Sequence, residues 1–265
     1  MTIITDPIFY LAAIPAVTFL GMSKGGFSGV GLMATPLLAL VLPPLQAAAI
    51  LLPILILQDC ISVFVYRRNW DARNLKVMLP GAVIGVCAAW VLAVHVSDAH
   101  VRLAVGAIAL GFVINHWFGG QPAESRHPLV PRGVFWGSVS GFTSTLCQAG
   151  GPPFQVYVLP QRLEKLTFVG TMAIFFAVIN LMKVIPYFAL GQFSTAGFAT
   201  SVALVPLAVA TNFLGIWLVR VTPTTLFYKL TYVLVFLISL ALVYNALTDM
   251  LGDEYFRSMT RTKTI

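Results

Sequence analysis

Residues 21–31 read GMSKGGFSGVG, and they interrupt an apolar segment that spans residues 7–42. At about 1.5 Å per residue, this segment would be far longer as one helix than the roughly 30 Å hydrocarbon layer of a bilayer. Glycines are common where a helix breaks, because they permit positive φ and a close approach of the backbone. The stretch therefore predicts that one helix ends inside the apolar region and that a second begins near residues 29–31.

The whole chain has the composition of an integral membrane protein. Of its 265 residues, 58% are hydrophobic and only 9% are charged, and the mean hydropathy is +0.90. One soluble domain of this length could not bury so much apolar side chain. The apolar runs are long enough to cross a bilayer as helices, and they lack the alternating pattern of a transmembrane β-barrel. We therefore expect an all-α integral membrane protein.

Polar breaks divide the chain into eight apolar segments, of which the first and fifth are interrupted by glycine-rich stretches. The one long polar gap, GGQPAESRHPLVPR at residues 119–132, has the glycine and proline content of a surface linker. This predicts an N-terminal transmembrane repeat at 1–118, the linker, a C-terminal transmembrane repeat at 133–250 and a polar tail at 251–265. The segments are 7–42, 47–66, 75–95, 101–118, 133–159, 166–190, 196–219 and 226–250.

The two halves resemble each other in sequence. GMSKGGFSGVGLMATPLLALV at 21–41 can be laid on GFTSTLCQAGGPPFQVYVLP at 141–160, and DCISVFVY at 59–66 on NLMKVIPY at 180–187. Repeats whose discontinuous helices meet near the bilayer midplane are typical of secondary transporters that work by alternating access. The sequence therefore predicts two pseudo-symmetric halves.

Four basic clusters favour an inverted relation between these halves. If each interrupted segment folds back to its starting side, all four clusters lie on one side, which the positive-inside rule places in the cytoplasm. If each interrupted segment instead crosses the membrane once, two of the clusters move outside and the asymmetry shrinks. The clusters are RRNWDARNLK at 67–76, ESRHPLVPR at 124–132, QRLEK at 161–165 and RVTPTTLFYK at 220–229.

The two interruptions have the chemistry of an anion site. A helix that starts after a break presents free N–H groups and the positive end of its dipole, here near residues 29–31 and 150–153. Lys24 would add a full charge, and hydroxyl and amide groups would add neutral donors. The alternative is that the glycines permit close helix packing and that Lys24 snorkels to an interface. The predicted substrate-binding residues are Ser23, Lys24, Gly25, Gly26, Ser28, Gly29, Thr143, Ser144, Thr145, Gln148, Gly150, Gly151 and Pro152.

Asp59 is an ionisable group well inside the second apolar segment, where such groups usually mark an ion or proton path. Gln58 precedes it, and Asn180 stands at the matching place in the second half. These three residues are the predicted ion-coupling group, for a proton or a sodium ion. Asp59 could instead serve only as a partner for Lys24 or for a backbone amide. Lys183 is expected to snorkel rather than to bind a ligand.

No motif predicts a catalytic residue, a metal site or a cofactor. The sequence contains no HExxH motif, no Ser-His-Asp arrangement and no phosphate-binding loop. Cys60, Cys87 and Cys147 lie in apolar segments and are expected to be packing residues. The basic residues sit between apolar runs as topology signals do, so no nucleic-acid partner is expected.

With these features, the chain resembles the sulfite exporter TauE/SafE family, also called the toluene sulfonate uptake permease family, over residues 8–247. The resemblance rests on GMSKGGFSGVGLMATPLL and, more specifically, on SGFTSTLCQAGGPPFQVYVLP. The first motif has SGVG where a run of glycines is common in the family. The resemblance implies secondary transport of sulfite, sulfoacetate or a similar organosulfonate across the bacterial cytoplasmic (inner) membrane. It fixes neither the anion nor the direction.

The sequence thus predicts a multi-pass transporter in the lipid bilayer with a small anionic substrate. An uncoupled small-anion channel is the first alternative, because it needs no coupling residue. An intramembrane enzyme with Cys147 as nucleophile is a less favoured alternative. The oligomeric state is left open, with a homodimer among the options.

Overall fold

The computed structural model describes residues 4, 6–27, 31, 34–39, 41–42, 44–92, 97–118, 129–189 and 193–262, and only the backbone at 35–36, 39, 44–45, 48, 98, 147 and 252–262. These residues form ten α-helices, a 3-10 turn and a further 3-10 residue at Gly31, without a β-strand. The helices are α1 Pro7–Gly25, α2 Ala34–Ala39, α3 Pro44–Tyr66, α4 Ala72–Leu92, α5 Asp98–Phe118, α6 Val130–Cys147, α7 Gly151–Val158, α8 Lys165–Ala189, α9 Thr195–Val221 and α10 Thr224–Thr262; the turn is Leu159–Gln161.

Seven helices in the described part of the chain are long and apolar enough to cross a membrane: α1, α3, α4, α5, α8, α9 and α10. The prediction of an all-α membrane protein is confirmed. The chain crosses the membrane several times, since an apolar helix satisfies its backbone hydrogen bonds within itself and buries its side chains in lipid. Helix α10 continues through the predicted polar tail as far as Thr262.

Both interrupted segments contain helix ends. Helix α1 ends at Gly25, and Gly26, with φ of 130°, donates its N–H to the carbonyls of Met22 and Ser23. The first helical residue described after this end is Gly31, which has 3-10 geometry and lies within the predicted start near residues 29–31. Helix α2 is described from Ala34.

The second interruption follows the prediction more closely. Helix α6 ends at Cys147, and Gln148 caps it in the left-handed region with φ of 56°. Helix α7 begins at Gly151, inside the predicted 150–153 range, with two prolines in its first turn. Proline suits this place because its fixed φ is helical and the first-turn N–H groups have no partner within the helix.

Each interrupted segment returns the chain to the end of the bundle from which it set out. Before α1, the Ile4 N–H donates to Thr200 Oγ1, and the neighbouring Ser201 donates to the Ile50 carbonyl near the start of α3. At the second interruption, Tyr157 of α7 donates its hydroxyl to the Leu129 carbonyl just before α6. The interrupted segments are therefore hairpins within the bundle.

Helix pairs from the two halves pack against each other in fixed directions. Helix α1 runs parallel to α9, and α4 runs parallel to α6, with glycines at both seams. Helix α3 runs antiparallel to α8, since Asp59 meets Asn180 while Tyr66 meets Gly170. Helix α5 likewise runs antiparallel to α10. The halves are therefore interleaved, and each buries its apolar faces largely against the other.

The α4–α6 seam gives a prediction about stability. A Cβ on Gly85 would lie 2.0 Å from the Ser138 carbonyl oxygen, and one on Gly81 would lie 2.1 Å from the Val134 carbonyl oxygen. Gly85→Ala should therefore lower the free energy of unfolding by about 1–3 kcal/mol or more, because the helices must move apart. Thermal unfolding in detergent measures this. Gly111→Ala is the control, since no heavy atom lies within 4 Å of a Cβ there; equal melting temperatures would contradict the close seam.

Three basic loops come together at one end of the bundle. Lys165, at the start of α8, donates to the Thr222 carbonyl after α9. The Asp71 N–H, between α3 and α4, bonds to Thr171 of α8. The loops after α3, before α8 and after α9 carry or adjoin most of the clustered arginines and lysines.

Two cysteines differ from the sequence expectation. Cys60 and Cys87 are exposed on the surface of the bundle, so they are not core packing residues. Both lie on outward faces of membrane-spanning helices, where a small apolar thiol suits lipid. The side chain of Cys147 lies outside the described residues, as do residues 119–128 of the predicted linker.

Candidate functional site

A cavity of about 90 Å³ lies where the two helix interruptions face α3 and α8. A single water needs roughly 10–15 Å³ on this scale, so the cavity has room for a compact solute. One part of its wall is apolar and the other part is polar. It is lined by Leu20, Ser23, Lys24, Gly31, Leu51, Leu55, Ser144, Gln148, Gly150, Gly151, Met172, Ala173, Phe176 and Asn180.

Lys24 is the charged side chain of this wall among the residues described. Its ammonium lies 2.6 Å from Asp59 Oδ1, and the other carboxylate oxygen, Oδ2, accepts from Asn180 Nδ2 at 2.6 Å. The Lys24 side chain is 14% exposed and that of Asp59 is 4% exposed. The alternative prediction, that Asp59 pairs with Lys24, is therefore confirmed. Both carboxylate oxygens have a donor, and the ammonium is the partner that faces the cavity.

Lys183 connects Asp59 and Asn180 to the second interruption. Its ammonium donates to Asn180 Oδ1 at 3.2 Å and to Gln148 Oε1 at 3.0 Å. The residue is fully buried, so the prediction that it snorkels is wrong. The distance of Lys183 from the end of α8 suggested snorkelling, but its side chain faces the bundle interior. A continuous chain of polar contacts therefore joins Lys24 at one break to Gln148 at the other.

The surroundings strengthen charge interactions at Lys24. Leucine, methionine and phenylalanine side chains form much of the cavity wall, and the ammonium lies 5.8 Å from the ring centroid of Phe176. A ring face attracts a cation, and an apolar wall screens charges less than water does. An anion entering the cavity would therefore interact more strongly with Lys24 than it would at a protein surface.

The start of α7 adds backbone donors to the same cavity. Gly150 and Gly151 line it, and the N-terminal end of α7 has no side-chain cap. Pro152 and Pro153 have no N–H, so the donors at this end are the N–H groups of the two glycines. Gln148 contributes a further donor, because nothing in the described residues accepts from its buried Nε2.

Several predicted site residues have other partners. The Gly26 N–H caps α1, and Gly25 packs against Gly215 of α9 while its carbonyl accepts from Tyr66. The hydroxyls of Thr143 and Thr145 donate to carbonyls of their own helix. None of these four residues lines the cavity.

The remaining predicted residues fall into three groups. Ser23 and Ser144 line the cavity together with Lys24, Gln148 and the two glycines. Pro152 is buried beside it and has no donor to offer. Ser28 and Gly29 lie outside the described residues.

Gln58 contacts the helices that pack around the first break, and it does not line the cavity. Its Nε2 donates to the Ala208 carbonyl, its own carbonyl accepts from Asn212, and its Oε1 has no partner in the described part of the structure. Ser62, one turn after Gln58, donates to the Lys24 carbonyl at 2.8 Å. A side chain of α3 therefore holds the backbone at the end of α1, and contacts with α9 hold α3 in place.

Sequence reasoning did not identify Ser62, Asn212 or Tyr66 as supports of the break, nor Phe176 as a neighbour of Lys24. One signal was available: polar residues inside apolar segments require partners, since lipid offers none. Asn212 and Ser62 are such residues. No sequence signal distinguishes Phe176 from the other aromatic residues of its segment.

Within the described residues, no group of three or more histidine, cysteine, aspartate or glutamate side chains is arranged to hold a metal ion.

A comparison with protein families gives one match. The sequence model of the family described as Sulfite exporter TauE/SafE matches residues 13–242. No curated protein and no solved structure matches the chain. The matched region includes both interruptions and every residue that lines the cavity.

Proposed function

Because the chain belongs to the sulfite exporter TauE/SafE family, we propose that it carries a small sulfur-containing oxyanion or organosulfonate across the membrane. The site of transport is the cavity between the two interruptions. The proposed substrate-binding groups are Lys24, Ser23, Ser144, Gln148 and the α7 start at Gly150 and Gly151.

One observation carries this proposal: a lysine ammonium, two glycine N–H groups and an unpartnered amide donor line the same cavity. These groups are donors, and a sulfite or sulfonate group offers three acceptor oxygens. A buried donor without an acceptor is costly, and Gln148 Nε2 has none in the described residues, so an oxyanion that accepts from it would lower the free energy of this site. The family name and the donor chemistry thus point to the same class of solute.

The packing supports an inverted repeat and transport by alternating access. Helices α3 and α8 are the second segments of the two halves, and they cross antiparallel at Asp59 and Asn180. A two-fold axis that exchanges antiparallel helices is perpendicular to them and so lies in the membrane plane. The pairing of α1 with α9 and of α6 with α4 follows the same exchange. Inverted repeats of this kind expose a central site to each side in turn.

The basic loops support one orientation of the protein in the membrane. The loops after α3, before α8 and after α9 meet at one end of the bundle, and their lysines and arginines favour the cytoplasmic side. The N-terminus of α1 then lies outside. Together with the family, this supports a location in the bacterial inner membrane.

Ligand-dependent thermal stability tests the proposed substrate class. Purified protein in detergent should be stabilised by one or more of sulfite, thiosulfate, sulfate, sulfoacetate and isethionate, because a ligand that binds the native state stabilises it. At a concentration of 100 times Kd, the gain is about 2.7 kcal/mol, or a rise in Tm of roughly 5–10 °C. Taurine, which carries an ammonium group as well as a sulfonate and so has no net charge, is the matched weak ligand. No shift with any of the five anions would contradict the proposal.

Counterflow distinguishes a transporter from a channel. In proteoliposomes, unlabelled isethionate inside should accelerate the entry of labelled isethionate, since a carrier returns faster when loaded. A channel has no such reorientation step. Entry that is independent of internal isethionate would favour the channel alternative.

A further inference from the structure

We propose that the site takes up one proton with each monovalent anion, and that Asp59 carries this proton. This inference rests on the proposed function and deepens it, because it names the coupling ion, its binding group and the charge moved in each cycle.

The contact between Lys24 and Asp59 is the first step. In this structure the ammonium is 2.6 Å from one carboxylate oxygen, and the pair is nearly enclosed, with side-chain exposures of 14% and 4%. The ammonium faces the cavity, so an anion that enters would share Lys24 with Asp59. Two negative groups would then share one positive group between mostly apolar walls.

Protonation of Asp59 removes this conflict. A proton from water binds a carboxylate oxygen, the carboxyl becomes neutral, and Lys24 remains an ammonium that pairs with the anion. The empty site has Lys24 with ionised Asp59, and the loaded site has Lys24 with the anion and neutral Asp59. Lys183 adds one further positive charge to both states, so the empty and loaded sites carry the same net charge. Because the proton offsets the charge of the anion, anion binding and proton binding strengthen each other.

The charge carried by the site is the same whether it is empty or fully loaded. A cycle in which the loaded site reorients in one direction and the empty site in the other therefore moves no net charge for a monovalent anion. Such a cycle carries the anion and the proton in the same direction.

The neighbours of Asp59 favour a proton over a sodium ion. Both carboxylate oxygens accept from nitrogen donors, and Asn180 Oδ1 accepts from Lys183. A hard cation needs several oxygen ligands at once, whereas a proton needs a single lone pair. These three oxygens already have donors, which a sodium ion would have to displace.

The other titratable groups around Asp59 do not change this balance. From α8, Lys183 reaches it through Asn180 and is present in both states. On α3, the Tyr66 hydroxyl donates to the Gly25 carbonyl. The sequences of α2, of residues 28–33 and of residues 195–219 contain no acidic, basic or histidine residue.

Binding of isethionate to the wild-type protein tests the inference. Isethionate keeps one negative charge from pH 5 to 9, whereas sulfite itself takes up a proton in this range. Calorimetric titration in buffers of different ionisation enthalpy gives the number of protons bound. We expect uptake to approach one proton, and affinity to fall up to tenfold per pH unit as the pH rises. Affinity independent of pH, without proton uptake, would overturn the inference.

Asp59→Asn is the diagnostic variant, because asparagine can still accept from Asn180 but cannot ionise. Its affinity for isethionate should equal or exceed that of wild type at alkaline pH, should not change with pH, and should involve no proton uptake. Flux should become dependent on membrane potential, since the anion now moves alone. Asp249→Asn, at a half-exposed ion pair with Arg102, is the control and should keep the wild-type pH profile. Wild-type pH dependence in folded Asp59→Asn would contradict the assignment.

Different results would contradict the proposed transport function and the proposed proton coupling. If wild-type protein neither binds nor transports any anion of the panel, the proposed function is wrong and this inference is lost with it. If isethionate is transported at a rate that responds to membrane potential and not to a proton gradient, the function stands and proton coupling is wrong. If Asp59→Asn does not fold, the wild-type proton count alone decides.

Discussion

Lys24→Met is expected to weaken isethionate binding by roughly 10- to 150-fold. The substitution removes the cation that faces the cavity, and hydrogen bonds to charged groups contribute about 1.5–3 kcal/mol each. Methionine has a length and an apolar stem similar to those of lysine, so the cavity wall near Phe176 is retained. Calorimetric titration at fixed pH measures the loss.

A double variant separates the effect of Lys24→Met on anion binding from its effect on protein stability. Lys24→Met leaves the Asp59 carboxylate without its cation, and breaking a buried pair costs about 3–5 kcal/mol. The double variant Lys24→Met with Asp59→Asn removes both charges and should recover most of the stability without recovering affinity. Lys76→Met, at an exposed position on α4, should change neither. Wild-type affinity in folded Lys24→Met would remove the lysine from the site.

Gly151→Leu is expected to abolish detectable anion binding while the protein remains folded. No heavy atom lies within 4 Å of a Cβ built on Gly151, and the residue lines the cavity. A Cβ can therefore be added without a clash, and the leucine side chain beyond it would occupy the space in front of the α7 N-terminus. The affinity for isethionate should fall by about 100-fold or more, whereas Tm without ligand should change by no more than a few degrees.

Gly111→Leu is the matched control for this prediction. A Cβ on Gly111 also meets nothing within 4 Å, but Gly111 lies on the exposed face of α5 away from the cavity. The same substitution there should leave the affinity unchanged. If Gly151→Leu binds isethionate as tightly as Gly111→Leu, the anion does not bind at the start of α7.

The fold class could be predicted because it depends on properties that the sequence displays directly. Long apolar helices and scarce charge determine a membrane bundle whatever the detailed packing. The second interruption was also predictable, because prolines at 152 and 153 fit the first turn of a helix but would break a helix interior. After the first interruption, Gly31 is helical within the predicted range, but as a 3-10 residue; glycine permits a break without specifying where the next α-helix begins.

A contact could be predicted where a residue type has few possible partners inside the membrane. An ammonium and a carboxylate inside apolar segments need partners, and Lys24 and Asp59 are paired. A hydroxyl has more possible hydrogen-bond partners. Thr143 and Thr145 donate to carbonyls four residues earlier, as threonines in helices often do. Which side of a helix faces the cavity depends on packing between distant segments, which a single sequence does not specify.

Lys183 illustrates the same limit. Its position in sequence indicates its depth in α8, but whether it reaches an interface depends on the direction in which its helix face points. Asn180 lies one turn earlier and Gln148 comes from a different helix, so the contacts that hold Lys183 require the folded bundle.

The most direct test of the central claim is to locate a bound anion. Bromomethanesulfonate is a compact sulfonate, and its bromine can be found by anomalous scattering in crystals grown with it. We predict one strong bromine peak in the cavity, with the sulfonate within hydrogen-bonding distance of Lys24 Nζ and the Gly151 N–H. A bromine peak outside the cavity, with the space between the two interruptions empty at saturating ligand, would contradict the account.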